Sequence, residues 1–552
     1  MFVNVGKLRF IMGLWFFLFL VNSVPLRLAH ELVETGITVK GDSVIAKNGD
    51  NFICATLDWW PETKCNYDQC PWGQASVLNL DLNNSLLAKA IKAFNPLRIR
   101  IGGSLQDQVL YDVGDLKSPC LPFERKSDGL FGFSSGCLSM DRWDELNEFL
   151  SRTGAIITFG LNALYGRHHS STNVWYGPWD SSNARDLMKY TIAKGYQVDS
   201  WEFGNELSGP GVSARVSAKQ YGQDLINLKA LIDQLYENSS SRPLVIAPGG
   251  FFYPTWFTEL LHTSGPGVLN VITHHIYNLG PGSDPNLVNK ILNPAHLSQI
   301  SQTFRDVWLT IKNSGPWATP WVGEAGGAYN SGGRDVSDTF VNSFWYLDQL
   351  GMSSIYHTKA YCRQSLIGGN YGLLDRPTFE PNPDYYSALL WHRLMGKGVL
   401  AAKFDGSPYL RTYAHCSKST MGVTLLLINM SNSTRFNIMV ENEVNDDIRL
   451  EVKTDKGDRS FVDRVKKSFS WIGKRASDEQ LHRQEYHLTP KDGYLKSRTM
   501  LLNGNPLELT DYGDIPNLDR VLVDAELPIS IAPLSIAFVN MPHFEAEACS
   551  DH

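Results

Sequence analysis

Val198-Asp199-Ser200-Trp201-Glu202-Phe203-Gly204-Asn205-Glu206 is a short run in which apolar Val198, Trp201 and Phe203 are interleaved with polar residues, and it stops at a glycine followed by two polar residues. It reads as a strand. Amphipathic stretches lie on either side, Asn183–Lys194 before it and Ser217–Leu235 after it. A strand between two helices is the unit of a parallel sheet, since a parallel neighbour is reached only through a crossover. The alternation recurs in both directions. Upstream strands fall at Phe52–Trp59, Leu97–Gly102 and Ala155–Leu161, and downstream ones at Leu244–Pro248, Val268–Tyr277, Pro320–Gly323 and Ser354–Lys359. Further helical stretches fall at Asp141–Arg152, His296–Lys312, Asp335–Leu350 and Asp384–Leu394. Eight strands in this order predict an α/β fold, a (β/α)8 TIM barrel over residues 50–395. An open doubly wound sheet would call for a Gly-rich phosphate turn after its first strand, and Cys54–Trp60 offers none.

Beyond residue 395 the pattern changes. Tyr409–His415, Met421–Asn429, Phe436–Val440, Ile448–Val452 and Ser535–Val539 are short and β-prone, with no long helices between them. Residues 396–552 are therefore expected to form a C-terminal antiparallel β-sandwich. Gly36–Ala46 has similar alternation, which predicts that residues 30–49 supply an N-terminal strand to that module. The run Lys453–Arg475 mixes Lys and Arg with Asp and reads as a solvated loop.

At the start of the chain, Lys7 and Arg9 precede the apolar run Phe10–Val21. The run is too short to span a bilayer and suits a signal peptide over residues 1–29, cleaved near Ser23 or near Ala29. The expectation is a secreted protein of the extracellular space or cell wall, or of a vacuole- or lysosome-like compartment. Peripheral association with a membrane or wall is compatible with this reading. Eight cysteines in an oxidising compartment can pair, and Cys65 with Cys70 and Cys120 with Cys137 are close enough to close local loops. Sequons at Asn83, Asn238, Asn429 and Asn432 are candidate glycosylation sites. A net charge of −7 argues against nucleic acid as a partner and against a dedicated polyanion surface.

In a barrel, chemistry gathers where strands emerge into their C-terminal loops. The fourth strand ends in Gly204-Asn205-Glu206 and the seventh in Gly323-Glu324. One carboxylic acid to protonate a leaving oxygen and one carboxylate to attack carbon, roughly 5 Å apart, is what retaining glycoside hydrolysis requires. Glu206 is the candidate proton donor (acid/base) and Glu324 the candidate nucleophile. Asn205 would donate to the sugar 2-hydroxyl. Glu202, earlier in its strand, reads as a buried barrel residue. Protonation of Glu206 is expected to come from the negative charge of Glu324 beside it. No metal or cofactor is called for.

The segments Leu97–Ser104, Trp201–Glu206, Thr273–Tyr277, Trp321–Tyr329, Gly368–Asp375 and Pro383–Tyr386 recur in order along the chain. Through them the sequence resembles glycoside hydrolase family 79, the heparanase-like β-glucuronidases, and in particular the plant branch. The resemblance implies a barrel with a β-sandwich and retaining cleavage of β-linked glucuronic acid without a metal. Tyr277 is implied to hydrogen-bond the nucleophile, and His275 to support the site. Asp58, Asn205 and Ser104 are implied to contact sugar hydroxyls. Tyr371 and the backbone amides at Gly332 and Gly333 are implied to recognise the substrate carboxylate. Cys416 and Cys549 match a family disulfide, whereas Cys362 is expected to be a buried free thiol. Tyr111–Asp141 is compact where the animal members carry a long excised linker, so a single uncut chain is expected. The implied substrates are glucuronic-acid-containing glycans or glycoproteins, such as cell-wall arabinogalactan proteins. A neutral-sugar or glucuronide-metabolite glycosidase, or a catalytically silent glycan-binding protein, are the alternatives.

Overall fold

The computed structural model describes residues 31–170, 172–443 and 481–550. The expected signal segment, the strand at Ile448–Val452 and the loop Lys453–Arg475 lie outside the described residues. The first strand, β1 (Glu31–Lys47), precedes a barrel of β2 (Ile53–Leu57), β3 (Arg98–Ile101), β4 (Ile156–Leu161), β5 (Ser200–Phe203), β6 (Leu244–Gly250), β7 (Val271–Ile276), β8 (Thr319–Ala325) and β9 (Tyr361–Arg363). These eight close in the order β6-β7-β8-β9-β2-β3-β4-β5, each parallel to its neighbours. The crossovers carry α1 (Ser85–Lys92), α2 (Met140–Thr153), α3 (Ser182–Ala193), α4 (Ala218–Leu235), α5 (Pro254–Ser264), α6 (Ser301–Ser314), α7 (Asn342–Ile355) and α8 (Pro383–Leu394). Their ends follow local chemistry. Ser139 and Ser217 accept backbone N–H bonds at the starts of α2 and α4, and Gly154 ends α2 in the left-handed conformation at φ 71°.

The last barrel strand is displaced from its expected place. Ser354–Lys359 is not a strand; α7 runs to Ile355 and a turn follows, so that Tyr361–Arg363 closes the barrel. The β-prone run misleads because α7 is buried on nearly every face, covered by the sandwich as well as the barrel, and shows no polar stripe. Closure places Cys362 directly opposite Cys54, and the two form a disulfide. This corrects the expectation of a free thiol at Cys362. The partner lay 308 residues away and only strand register brings it near. Cys65–Cys70, Cys120–Cys137 and Cys416–Cys549 are also bonded.

The second unit is one sheet that folds over on itself. It contains β10 (Met395–Lys403), β11 (Leu410–Ser417), β12 (Val423–Asn429), β13 (Thr434–Asn442), β14 (His482–Pro490), β15 (Ile529–Ile531) and β16 (Ser535–Met541). The order β14-β16-β12-β11-β10-β1-β13-β15 places β1 between β10 and β13. All these pairings are antiparallel except β1 with β13, which is parallel from Glu31↔Thr434 to Val39↔Asn442. Alternation along β12 shows the layering. Val423, Leu425 and Leu427 face the sandwich core with Ile37, Val39 and Ile438, while Leu426 and Ile428 join the barrel's core cluster. Across the junction, buried Asp348 on α7 accepts from Arg411 at 2.8 Å and Tyr413 at 2.6 Å on β11.

Asn429 is corrected here as a glycosylation candidate. It is fully buried at the end of β12, its amide donating to Thr434 and Ala532 carbonyls while its oxygen accepts from Ser431 N–H. Asn83, Asn238 and Asn432 are exposed.

The Cys54–Cys362 bond ties the first barrel strand to the last. A double Cys54→Ala, Cys362→Ala variant is expected to lose about 2–4 kcal/mol and to melt roughly 2–4 °C lower by differential scanning calorimetry. An unchanged melting temperature would show that closure does not depend on this bond.

Candidate active site

Strand ends bring the site together. Arg100 on β3 is the hub: a fully buried guanidinium whose Nε donates to Glu202 at 2.5 Å, Nη1 to Glu324 at 2.8 Å and Nη2 to the Asn205 side-chain oxygen at 2.8 Å. Glu202 lies inside the barrel at 0% exposure and also accepts from Thr273. Glu324, on β8, takes a second bond at 2.5 Å from the Tyr277 hydroxyl, one residue past β7. Two donors thus fix both oxygens of the candidate nucleophile.

Glu206 follows β5 with φ +56°, a left-handed conformation uncommon for a residue with a side chain. Its N–H is held by the Gly249 carbonyl at 2.7 Å, which keeps the backbone in that strained state. The carboxyl contacts His275 Nδ1 at 3.0 Å. Ligand atoms of Glu206, His275 and Glu324 all lie within 4.8 Å of one another. That carboxylate spacing suits double displacement, whereas inversion needs room for a water between the two groups. The trio has the reach to ligate a cation, but both oxygens of Glu324 are already engaged by Tyr277 and Arg100.

Burial pushes the Glu206 carboxyl up to about 7, and Arg100 pulls against that rise. The expectation that Glu324 supplies the shift is therefore corrected: desolvation does it. Burial also lowers His275 to about 4, so the imidazole is neutral. Its Nε2 is buried without a partner. An unpaired buried N–H costs more than an unused lone pair, so the proton belongs on Nδ1, donated to Glu206 Oε1. This leaves Oε2 of Glu206 to carry the acidic proton.

On the other side of the barrel axis, Asp58 follows β2, buried, accepting from Trp59 N–H at 2.8 Å and Gln364 Nε2 at 3.0 Å. Burial and the charge of Glu324 raise it to about 7. Gly103 must be glycine: at φ +112° a Cβ there would sit 2.5 Å from Asp58 Oδ2. Ser104, next to it, is half-buried on the same turn. Gln364 also reaches the Tyr371 hydroxyl at 3.4 Å. Asn205 has its N–H fixed by Asp107 at 2.8 Å, while its side-chain Nδ2 is buried with no acceptor. That orphan donor is the kind of group a sugar hydroxyl would satisfy.

The turn Asn330–Gly333 passes beside Tyr371, where a Cβ on Gly332 would lie 2.7 Å from the ring. It is stitched to the Cys65–Cys70 loop: Ser331 Oγ donates to Asn66, and Asn330 Nδ2 to the Tyr67 hydroxyl. The Gly333 N–H donates to Ser337 Oγ at 2.9 Å, so it is committed within the chain. This corrects its expected part as an anion-binding amide.

Arg100, Gln364 and Asp107 were given no role from sequence. Arg100 left a signal, since Arg98-Ile99-Arg100-Ile101 places charges on one face of a barrel strand, where each must find a partner. Gln364 and Asp107 left none.

Residues 34–351 match the glycosyl hydrolase family 79 N-terminal domain. The chain is 60% identical to heparanase-like protein 1 of Arabidopsis thaliana over 95% of this chain and 96% of that one. It is 40% identical to baicalin-β-D-glucuronidase of Scutellaria baicalensis, covering 92% of each. Among solved structures, a 4-O-α-L-rhamnosyl-β-D-glucuronidase from Fusarium oxysporum shares 14% identity with TM-score 0.60, over 92% of this chain and 100% of that one. An α-L-arabinofuranosidase from Thermotoga maritima shares 14% with TM-score 0.60, over 92% and 99%. At that identity the two structures speak for the fold alone.

A raised carboxyl has a measurable consequence for stability. Between pH 4.5 and 7 the unfolded chain has lost the Glu206 proton while the folded chain keeps it, so stability falls as pH rises through that window. Glu206→Gln removes this penalty. Its stabilisation relative to the unmodified protein should be absent below pH 4 and grow to about 3 kcal/mol above pH 7, read from urea unfolding at each pH. A pH-independent difference would show that the carboxyl is not raised.

Proposed function

Since the chain belongs to glycosyl hydrolase family 79, we propose that it is a retaining β-glucuronidase with Glu206 as acid/base and Glu324 as nucleophile. The observation that carries this is the Glu206–His275–Glu324 cluster, with its carboxylates within 4.8 Å, one raised by burial and the other held by Tyr277 and Arg100. In the first step Glu324 attacks the anomeric carbon as Glu206 protonates the departing oxygen. The glycosyl-enzyme that forms has no charge on Glu324. Arg100 then loses one of its counter-charges, and its pull on Glu206 grows. The same residue that was an acid thereby becomes a base, activating the water that completes hydrolysis. Asp58, Asn205 and Ser104 stand as contacts to sugar hydroxyls.

The preference for a uronic acid is supported by the names of relatives, including the baicalin-β-D-glucuronidase and a hyaluronoglucuronidase of Hirudo nipponia that is 28% identical over 94% of this chain. Tyr371 and Gly332 are the groups proposed to meet a substrate carboxylate, which is supported by their packing against each other. Secretion is supported by the charged-then-apolar start of the sequence and by four disulfides. Exposed Asn83, Asn238 and Asn432 would then be available for glycosylation. Substrates of this class are glucuronic-acid-bearing glycans such as arabinogalactan-protein side chains, and small glucuronides.

The test is a panel of aryl glycosides. The protein should hydrolyse 4-nitrophenyl β-glucuronide with kcat/KM at least about 100-fold above that for the β-glucoside, and proton NMR should show the β-anomer released first. Equal rates on the two sugars, or first release of the α-anomer, would refute it. Glu324→Ala is expected to lose about 10⁴-fold or more in kcat. Glu206→Gln should keep substantial turnover only with very good leaving groups, and an equal loss across leaving groups would remove its role as acid.

A further inference from the structure

The loop after β4 carries a feature that the sugar pocket does not use. Residues His168–His169 and Trp175–Tyr176 form a two-stranded hairpin on the C-terminal rim of the barrel. Its cross-strand partners are all ring-bearing: His168 faces Tyr176 with centroids 5.8 Å apart, and His169 faces Trp175 at 5.0 Å. Trp and Tyr present flat apolar faces with a polar tip, which suits them to stacking on a ring at a surface. Here Tyr176 is 54% exposed, both histidines are exposed and Trp175 is only partly covered.

The base of the hairpin is held by hydrogen bonds. Arg167, buried at its base, donates from Nε to the Ala163 carbonyl at 2.7 Å and from Nη1 to the Gly177 carbonyl on the opposite stem at 2.6 Å. Its Nη2 pairs with buried Asp224 of α4 at 2.6 Å, and Asp224 also accepts from Trp179 N–H. The outer strand is tied to the segment that follows Glu206. Trp175 N–H donates to the Arg215 carbonyl at 2.9 Å and Arg215 N–H to the Asn173 carbonyl at 3.0 Å. That segment returns in turn to the acid itself, through Val212 N–H to the Glu206 carbonyl at 3.2 Å and Val216 N–H to that of Leu207 at 3.1 Å. Two layers of backbone bonds therefore link the ring platform to the segment that follows the candidate proton donor.

Barrel order assigns the platform a side. Among the groups around the sugar position, Asp58, Ser104, Glu324 and Gln364 with Tyr371 come from β2, β3, β8 and β9, while Asn205 and Glu206 follow β5. The loops after β4 and β5 lie on the other side, and the proton donor belongs to the second of them. A proton donor stands next to the oxygen that departs, so the departing group extends past Glu206 toward those loops. We propose that the hairpin is a leaving-group subsite in which Trp175 and Tyr176, backed by His169 and His168, stack on the flat face of the first ring beyond the scissile bond. The assignment rests on the retaining-glycosidase reading above. Both an aromatic aglycone and the face of a pyranose meet the requirement of a flat ring.

The experiment compares substrates that do and do not reach the platform. β-Glucuronyl fluoride has a one-atom leaving group; 2-naphthyl β-glucuronide and β-glucuronyl-1,6-galactose carry a ring. The readout is the ratio of kcat/KM for each ring-bearing substrate to that for the fluoride, measured on the same preparation. Trp175→Ala should lower this ratio by about three- to tenfold, and Trp175→Phe, which keeps a flat face, should restore most of it. Tyr176→Ala, at an exposed position, should lower it by a smaller factor without disturbing the fold. A fall confined to the naphthyl substrate supports stacking on aromatic aglycones, and one confined to the disaccharide supports stacking on sugars. An unchanged ratio in the two alanine variants, even where both rates drop, overturns the subsite. Absence of fluoride turnover by the unmodified enzyme overturns the glycosidase reading and the subsite with it, whereas turnover with an unchanged ratio overturns the subsite alone.

Discussion

One guanidinium organises the mouth of the barrel. Arg100 is taken wholly out of water, which on its own would be prohibitive. It is tolerated because β5 and β8 bring Glu202, Asn205 and Glu324 to its three nitrogens. The planar fork of arginine can serve three partners from three directions, which a lysine ammonium on a flexible stem cannot reproduce. The interaction is also one-sided in its consequences. Removing Arg100 would leave two acidic groups facing each other without a cation, so the ends of β3, β5 and β8 are held in mutual position by a single residue.

Around that hub, burial does different work at each carboxyl. Glu202 is enclosed but paired with Arg100 and has a structural part. Glu324 is paired and hydrogen-bonded, its two oxygens aimed by fixed donors. Glu206 has no direct ion pair with Arg100; it is enclosed, faces a neutral imidazole, and keeps its proton into the neutral range. The left-handed backbone at Glu206 belongs to the same arrangement, since strain of this kind persists only where neighbouring bonds, here to Gly249, over-determine the conformation. Stability is given up at this position and recovered in the closed barrel beneath it.

How much of this was legible depends on the range over which each signal acts. Glu206 and Glu324 stand out because a strand that ends in glycine and a carboxylate is a local pattern, visible in six residues. The N-terminal strand was readable for the same reason, from the alternation in Gly36–Ala46. β9 was not, because three residues make no period and the apolar end of α7 offered a better-looking strand. The Cys54–Cys362 bond and the partners of Arg100 depend on register between strands distant in sequence, which composition and spacing do not encode. Asn429 and Gly333 failed in the opposite way. Each matches a short pattern, and in each case burial or a neighbouring acceptor, invisible in that pattern, has already claimed the group.

The placement of β1 has a further meaning. It lies inside the sheet, parallel to β13 on one edge and antiparallel to β10 on the other, although the whole barrel separates it from both along the chain. The sandwich is thus discontinuous, and the barrel is an insert within it. Cutting the chain after residue 49 would not yield a shorter but intact second unit; it would leave a slot one strand wide, lined by unpaired backbone groups. The sandwich cannot be completed until the chain has returned from the barrel, so the two are built as a single architectural commitment rather than as modules that evolution or an engineer could exchange at a linker.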